Sequence, residues 1–260
     1  MEIDDIIVTR KIFNRFSEEF KDCFEVDVAI AGGGPAGLIA AQYLSKSNKK
    51  VVIFERKLSI GGGMWGGGMT FPVIVVQEKS KFLLENVGIK IKNEGDGYYS
   101  ADSIESVSKL CSAAIDAGAK IFNTISVEDV LINSNNAVNG FVINWSAVEI
   151  AGLHVDPLTI RAKYCIDATG HPAEICNIVK NKCRPKSGSL SKSNNNLLEK
   201  SMNANIGEKK VVENTKEVYP GLYVAGMCAN SVFRSQRMGP IFGGMLLSGK
   251  KAADLILDRF

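Results

Sequence analysis

The stretch from Glu25 to Arg56 constrains this chain more than any other part of it. The β-branched run "EVDVAIA" ends in Gly32-Gly33-Gly34-Pro35-Ala36-Gly37, which satisfies G-x-G-x-x-G. The helix-forming "PAGLIAAQYLSKS" comes next, with proline in its first turn, where it is tolerated. A second strand-like run, "KKVVIFER", follows. This is a βαβ unit, so its two strands should be parallel, with a right-handed crossover. Gly32 permits the tight turn, Gly34 lets a pyrophosphate approach the backbone, and Gly37 lets helix and strand pack closely. The helix start adds unpaired N–H groups and partial positive charge. Glu55, 18 residues after Gly37, ends the second strand and is placed to accept from a ribose hydroxyl. Arg56 is placed to meet the adenosine diphosphate end. The plain alternative is a glycine turn without a ligand.

Elsewhere the pattern alternates helices and strands. Residues 8–22 read as an amphipathic helix, with Ile12, Phe13, Phe16 and Phe20 on one side. "GGGMWGGGMT" at 61–70 is too rich in glycine for a helix, and "VIVVQEKSKFLLENVG" reads as one. "SADSIESVSKLCSAAIDAGA" reads as another helix, and "KIFNTISVEDVLI" as a strand pair. Asn139-Gly140 between apolar runs signals a hairpin turn. "AKYCIDATG" and "GLYVAG" read as buried strands, and a closing helix starts near Gly239-Pro240. Residues 184–208 are polar and rich in Ser and Asn, the composition of a mobile loop. The whole is one domain, 1–260, with its core at 23–183 and 209–260. The fold class is α/β. The fingerprint, the "ATG" strand end and the late "LYVAG" strand resemble the flavoproteins built on two dinucleotide-binding folds. That implies a Rossmann-like parallel central sheet with helices and a small antiparallel layer. Those flavoproteins usually follow the last strand with Gly-Asp, whereas Gly226 here precedes Met227 and Cys228, so the carboxylate that would hold a flavin is missing.

Composition excludes several classes. A net charge of +3, spread along the chain, gives no basic patch for nucleic acid. No apolar run is long enough to span a membrane, and the acidic start "MEIDD" has no signal-peptide core. The six cysteines contain no C-x-x-C, which suits reduced thiols in the cytoplasm.

The chain has two histidines, and both fall within "LHVDPLTIRAKYCIDATGH". His154 and His171 bracket a strand, and Asp156 lies one i+2 step from His154, on the same side of extended backbone. Asp and His are ligands suited to Fe, Mn, Co or Zn. Two such ligands leave positions open for substrate, water or a residue from another subunit. The alternative is two ordinary histidines with no metal.

Motifs in order along nearly the whole chain then resemble one family: "ERKLSIGGGMWGGGM", "EGDGYYSADS", "NWSAVEIAGLHVDPLTI", "DATGHPAE", "VVENTKEVYPGLYVAGM" and "RMGPIFGGMLLSGKKAA". They look like the thiazole synthases of thiamine biosynthesis, in their archaeal form. Only 184–208 fits poorly. The resemblance implies synthesis of ADP-5-ethyl-4-methylthiazole-2-carboxylate from NAD, glycine and sulfide, with Fe(II) as cofactor. Fungal and plant members carry a sulfur-donating cysteine where this chain has His154, so the resemblance implies repeated turnover on free sulfide. By position, Asp156 and His171 would be the iron ligands, with Asp156 reaching a neighbouring subunit's site. Ala36, Glu55, Arg56, Gly63 and Val127 would line the ADP portion. His154 and Met227 would lie along the ribose-derived chain, and Arg237 would bind the glycine carboxylate, with Arg234 a nearby alternative. A guanidinium suits that task through two parallel hydrogen bonds. Imidazole can carry protons near neutral pH, which suits His154 to a catalytic role. The family is typically a homo-octamer, and the apolar, glycine-rich 61–76 suits a subunit contact. The rival readings are a flavin oxidoreductase, a ribose-1,5-bisphosphate isomerase, and a binding module without chemistry.

Overall fold

The computed structural model describes residues 2–183, 185, 190–191 and 197–260. In chain order the elements begin with α1 (Asp5–Lys21), β1 (Glu25–Ala31), α2 (Pro35–Lys46) and β2 (Val51–Glu55). A 3-10 turn at Gly62–Gly66 leads to β3 (Val73–Gln77), α3 (Glu78–Glu85), β4 (Ile91–Gly95), β5 (Tyr98–Asp102) and α4 (Ser103–Asp116). β6 (Lys120–Asn123), β7 (Ile125–Ile132), β8 (Val138–Trp145), α5 (Ser146–Ile150) and β9 (Leu158–Asp167) follow. The chain then forms α6 (Glu174–Cys183), α7 (Ala204–Asn214), β10 (Glu217–Tyr219), β11 (Leu222–Val224), α8 (Met227–Val232) and α9 (Gly243–Leu257).

The central sheet is α/β, as expected. β1 pairs in parallel with β2 on one side and β9 on the other; β6 extends the first edge and β11 the second. β7 and β8 continue from β9 in antiparallel fashion, and β3, β5 and β4 form a separate antiparallel layer. Strands covered on both faces should be apolar throughout. β1 obeys this: Val28 and Ile30 pack towards α2, α4 and α9, while Ala29 and Ala31 pack into a second cluster with Phe54, Phe141 and Ile175. On the first face α9 lies against α2 so closely that a Cβ on Gly249 would sit 2.2 Å from the Ala36 carbonyl.

Four local expectations need correction. The stretch from Val73 is not one helix: Val73–Gln77 is a strand paired with Tyr98–Asp102, and the helix begins at Glu78. Its β-branched run alternates buried Ile74 and Val76 with outward neighbours, the strand period. Asn139-Gly140 is not a turn but lies inside β8; the reversal is made by Asn133, whose side chain accepts the Asn135 and Ala137 amides. The closing helix starts at Gly243, three residues beyond Pro240. Of the expected loop 184–208, positions 184, 186–189 and 192–196 lie outside the described residues. Its last five positions, 204–208, belong to α7, capped by the Asn203 side chain.

Candidate active site

β1 and β9 run side by side with Ala31 opposite Asp167, and the parallel neighbours that follow them in sequence, β2 and β11, lie on opposite sides of the pair. Such a switch point is where open α/β sheets place ligands. A cavity of about 1590 Å³ opens there. Gly32 takes φ +102°, and a Cβ on it would lie 2.5 Å from the Ala168 carbonyl oxygen, so glycine alone lets the two strand ends meet. Gly37 does not line the cavity; a Cβ on it would sit 2.1 Å from the Gly32 carbonyl oxygen, so its missing side chain lets α2 pack closely there, the packing role expected of it. Gly34, at the N-cap of α2, lines the cavity with nothing within 4 Å of where its Cβ would be. That open space over free helix N–H groups suits a pyrophosphate.

Glu55 ends β2 buried, its Oε2 accepting the Gly33 amide and its Oε1 the Lys57 amide, each at 2.9 Å. A carboxylate has about four acceptor positions, so capacity remains for ribose hydroxyls. Arg56 forms a 2.5 Å ion pair with Glu174 in the first turn of α6. Burial pushes the Glu174 carboxyl up, with the Arg56 charge opposing it. Gly32, Ala36, Gly63 and Val127 line the same cavity, and so does Met227.

His154, His171 and Arg237 all reach this cavity, although 83 residues separate the first from the last. Arg237 lines the cavity and carries no ion pair among the described residues, whereas Arg234 is not part of the lining. Asp156 is exposed and does not line the cavity of its own chain. It sits in the extended segment 153–157, among exposed Leu153, Val155 and Leu158.

Sequence reasoning missed two acidic residues here. Asp167 is buried beneath the strand end; its Oδ1 accepts from the amide and hydroxyl of Thr169, and its Oδ2 from the Cys176 amide. The signal was a carboxylate closing the buried end of a strand, directly after Cys165 and Ile166. Asp167, Cys176 and Cys228 lie within 4.8 Å of one another, a spacing a metal could use. The donor chemistry argues against it: both Asp167 oxygens already serve the backbone, and burial pushes the Cys176 thiol up to about 12 and the Cys228 thiol well above its ordinary range. The second is Glu199, whose carboxylate contacts His171. Burial pushes the Glu199 carboxyl up, but its own amide, the Ser231 hydroxyl and His171 outweigh this and hold it below the ordinary range.

This geometry can be set beside known proteins. The model of the Thi4 family matches residues 9–242. The chain belongs to the Thi4 family. A relative from Methanosarcina barkeri, named thiamine thiazole synthase, is 55% identical over 260 residues, covering 100% of this chain and 98% of its own. Another of that name from Methanococcoides burtonii is 54% identical, covering 100% and 99%. The crystal structure of Thermovibrio ammonificans THI4 superposes with a TM-score of 0.94 at 45% identity, covering 100% of this chain and 99% of that one. The Thi4 fold therefore extends through the whole chain, the antiparallel layer included. Among the described residues no helix is long and apolar enough to cross a membrane.

Proposed function

We propose that this chain is a thiazole synthase of thiamine biosynthesis. It would build ADP-5-ethyl-4-methylthiazole-2-carboxylate from NAD, glycine and sulfide, turning over repeatedly because His154 stands where a sulfur-donating cysteine would be. One observation carries the reading: in a Thi4-family chain, the dinucleotide fingerprint, both histidines and Arg237 converge on a single cavity.

The residues present fit iron(II). The Nδ1 of His171 is taken by Glu199, leaving Nε2 as the free donor, and no hydrogen bond or ion pair engages Asp156 among the described residues. Imidazole with carboxylate is a borderline donor set that suits Fe(II). His171 and Asp156 would hold the metal, Asp156 in a neighbouring subunit's cavity. Bound there, the metal would polarise carbonyl and imine oxygens and hold hydrosulfide near the electrophilic carbon. The chain's own residues do the rest. Glu55 and the start of α2 grip the ADP end, remote from the reacting atoms, and so supply binding energy. Arg237 orients the glycine carboxylate, and His154 carries protons to and from the carbons beside the carbonyl.

Sharing of sites between subunits, in a homo-octamer, has physical support. Leu153, Val155 and Leu158 flank Asp156 with exposed apolar surface, and Ile150 is 85% exposed. Met69, Phe71 and Val73 expose a further apolar patch in the glycine-rich segment, and α1 buries none of its residues.

The test is reconstitution. Anaerobic protein given iron, NAD, glycine and sulfide should release the adenylated thiazole, detected by mass spectrometry, over many turnovers. Asp156→Ala and His171→Ala should abolish it while ADP-ribose still binds. No adduct from the wild type, or full activity in either variant, would overturn the proposal.

A further inference from the structure

Glu199 has no part in the roles above, yet it is seated against one of the two histidines. Its Oε1 lies 2.5 Å from His171 Nδ1. The carboxylate side chain is 12% exposed and the imidazole 45%. Oε2 lies 2.9 Å from the hydroxyl of Ser231, a fully buried residue of α8, and that hydroxyl is also 2.8 Å from the His171 carbonyl oxygen. Glu199 is therefore tied both to the ring and, through Ser231, to the backbone of the same histidine.

The segment that carries Glu199 is itself pinned. Leu197 is buried, the Lys200 amide donates to the Ser235 carbonyl at 2.8 Å, and the Arg237 amide donates to the Lys200 carbonyl at 3.0 Å. The Asn203 amide closes the frame on the Arg237 carbonyl at 3.0 Å. One short run of chain thus fixes Glu199 and, on its other side, both backbone groups of Arg237.

We propose that Glu199 is the positioning residue for His171: it accepts the Nδ1–H, sets that tautomer and the ring's orientation, and presents Nε2 to the cavity as a donor. The metal part of this inference rests on the iron reading above. A neutral imidazole has one N–H and one lone pair, and an ionised carboxylate can only accept. Glu199 therefore forces the proton onto Nδ1 and the lone pair onto Nε2. Outer partners of this kind orient a ligating histidine and raise its basicity, and their loss typically costs about 10–100-fold in metal affinity.

The test reads the ring directly and the metal separately. With only two histidines in the chain, magic-angle-spinning NMR of metal-free, 15N-histidine-labelled protein resolves the tautomers without regard to assembly size. In alkaline buffer, where imidazoles are neutral, wild-type His171 should be the Nδ1–H form. Glu199→Ala should populate the Nε2–H form, and Glu199→Gln, which keeps an acceptor, should restore part of the Nδ1–H signal. Binding of Co(II), followed by its visible spectrum, should weaken about 10–100-fold in Glu199→Ala. ADP-ribose binding should stay within about twofold. Should Glu199→Ala fail to fold, Ser231→Ala removes the brace alone and should give a smaller shift of the same sign. An unchanged tautomer and unchanged Co(II) affinity in the folded variants would overturn the proposal. If His171→Ala binds Co(II) as wild type does, the metal reading falls, while a Glu199-dependent tautomer would still support the brace.

Discussion

The carboxylate of Glu55 reaches back across the glycine turn to accept the Gly33 amide at 2.9 Å. The residue that should hold the ribose therefore also fixes the loop that should hold the pyrophosphate. Glu55→Gln weakens both contacts. Hydrogen bonds to a charged group contribute about 1.5–3 kcal/mol, so ADP-ribose affinity should fall about 10–100-fold by calorimetry. Wild-type affinity would remove Glu55 from the site.

Gly34 and Gly37 lie three residues apart and should fail differently. A methyl at Gly34 meets nothing within 4 Å. Gly34→Ala should fold with a near-wild-type Tm but lose at least about tenfold in ADP-ribose affinity, because the methyl occupies phosphate space. At Gly37 the methyl would lie 2.1 Å from the Gly32 carbonyl. Overpacking of this kind costs about 1–3 kcal/mol, so Gly37→Ala should lower Tm by about 2–10 °C. Equal Tm values for the two variants would contradict the assignment.

Arg237 lines the cavity and Arg234 does not. Arg237→Ala should raise the KM for glycine about 10–100-fold, the loss expected for a charge-assisted pair. Arg237→Lys should recover only part of it, since an ammonium lacks the planar fork. Arg234→Gln should leave KM within about twofold. A reversed order would transfer the carboxylate site to Arg234.

His154→Cys should convert repeated turnover into at most a single sulfur donation. Mass spectrometry of the spent variant should then show protein lighter by one hydrogen sulfide, the donating cysteine having become dehydroalanine. Undiminished multiple turnover with intact protein would show that His154 does not decide the sulfur source.

Glu208 is buried against the start of α9, its Oε1 accepting the Gly244 amide at 2.5 Å and its Oε2 without a partner among the described residues. Burial raises its carboxyl above the ordinary range, with the Gly244 amide and the Lys79 charge opposing. The folded chain then holds a proton that the unfolded chain releases earlier, so stability falls as pH rises from the ordinary carboxyl value, about 4.3, towards the raised one. Glu208→Gln should flatten that decline in urea unfolding measured between pH about 4 and about 8. Parallel slopes for the two proteins would assign the decline to another group.

Which parts of this were legible in the sequence follows from the range of the physics. The βαβ unit could be read because its glycine spacing is local, Gly32 to Gly37 spanning six residues, although the contact that requires Gly32 comes from distant Ala168. His154, His171 and Arg237 were singled out by the family resemblance, and all three line one cavity. Val73–Gln77 misled because a short β-branched run is ambiguous until its partner, Tyr98–Asp102, is known. Gly140 misled for a different reason: its Cβ would meet the Ile160 carbonyl at 2.1 Å, so the glycine serves strand approach rather than a turn. Glu199 was hidden because its partner lies 28 residues upstream, across α6 and the Ser- and Asn-rich stretch that follows it.

The packing of Gly249 on Ala36 joins the last helix to the first turn of the nucleotide motif. A ribosome releases that motif some two hundred residues before the element that clamps it. β1 likewise lacks its second neighbour until Leu158–Asp167 has emerged. A nascent or truncated chain thus carries a complete recognition signature with no walls around it. The glycine turn and β1 therefore gain these partners late in synthesis, and a chain cut short before α9 lacks the helix that packs on Ala36.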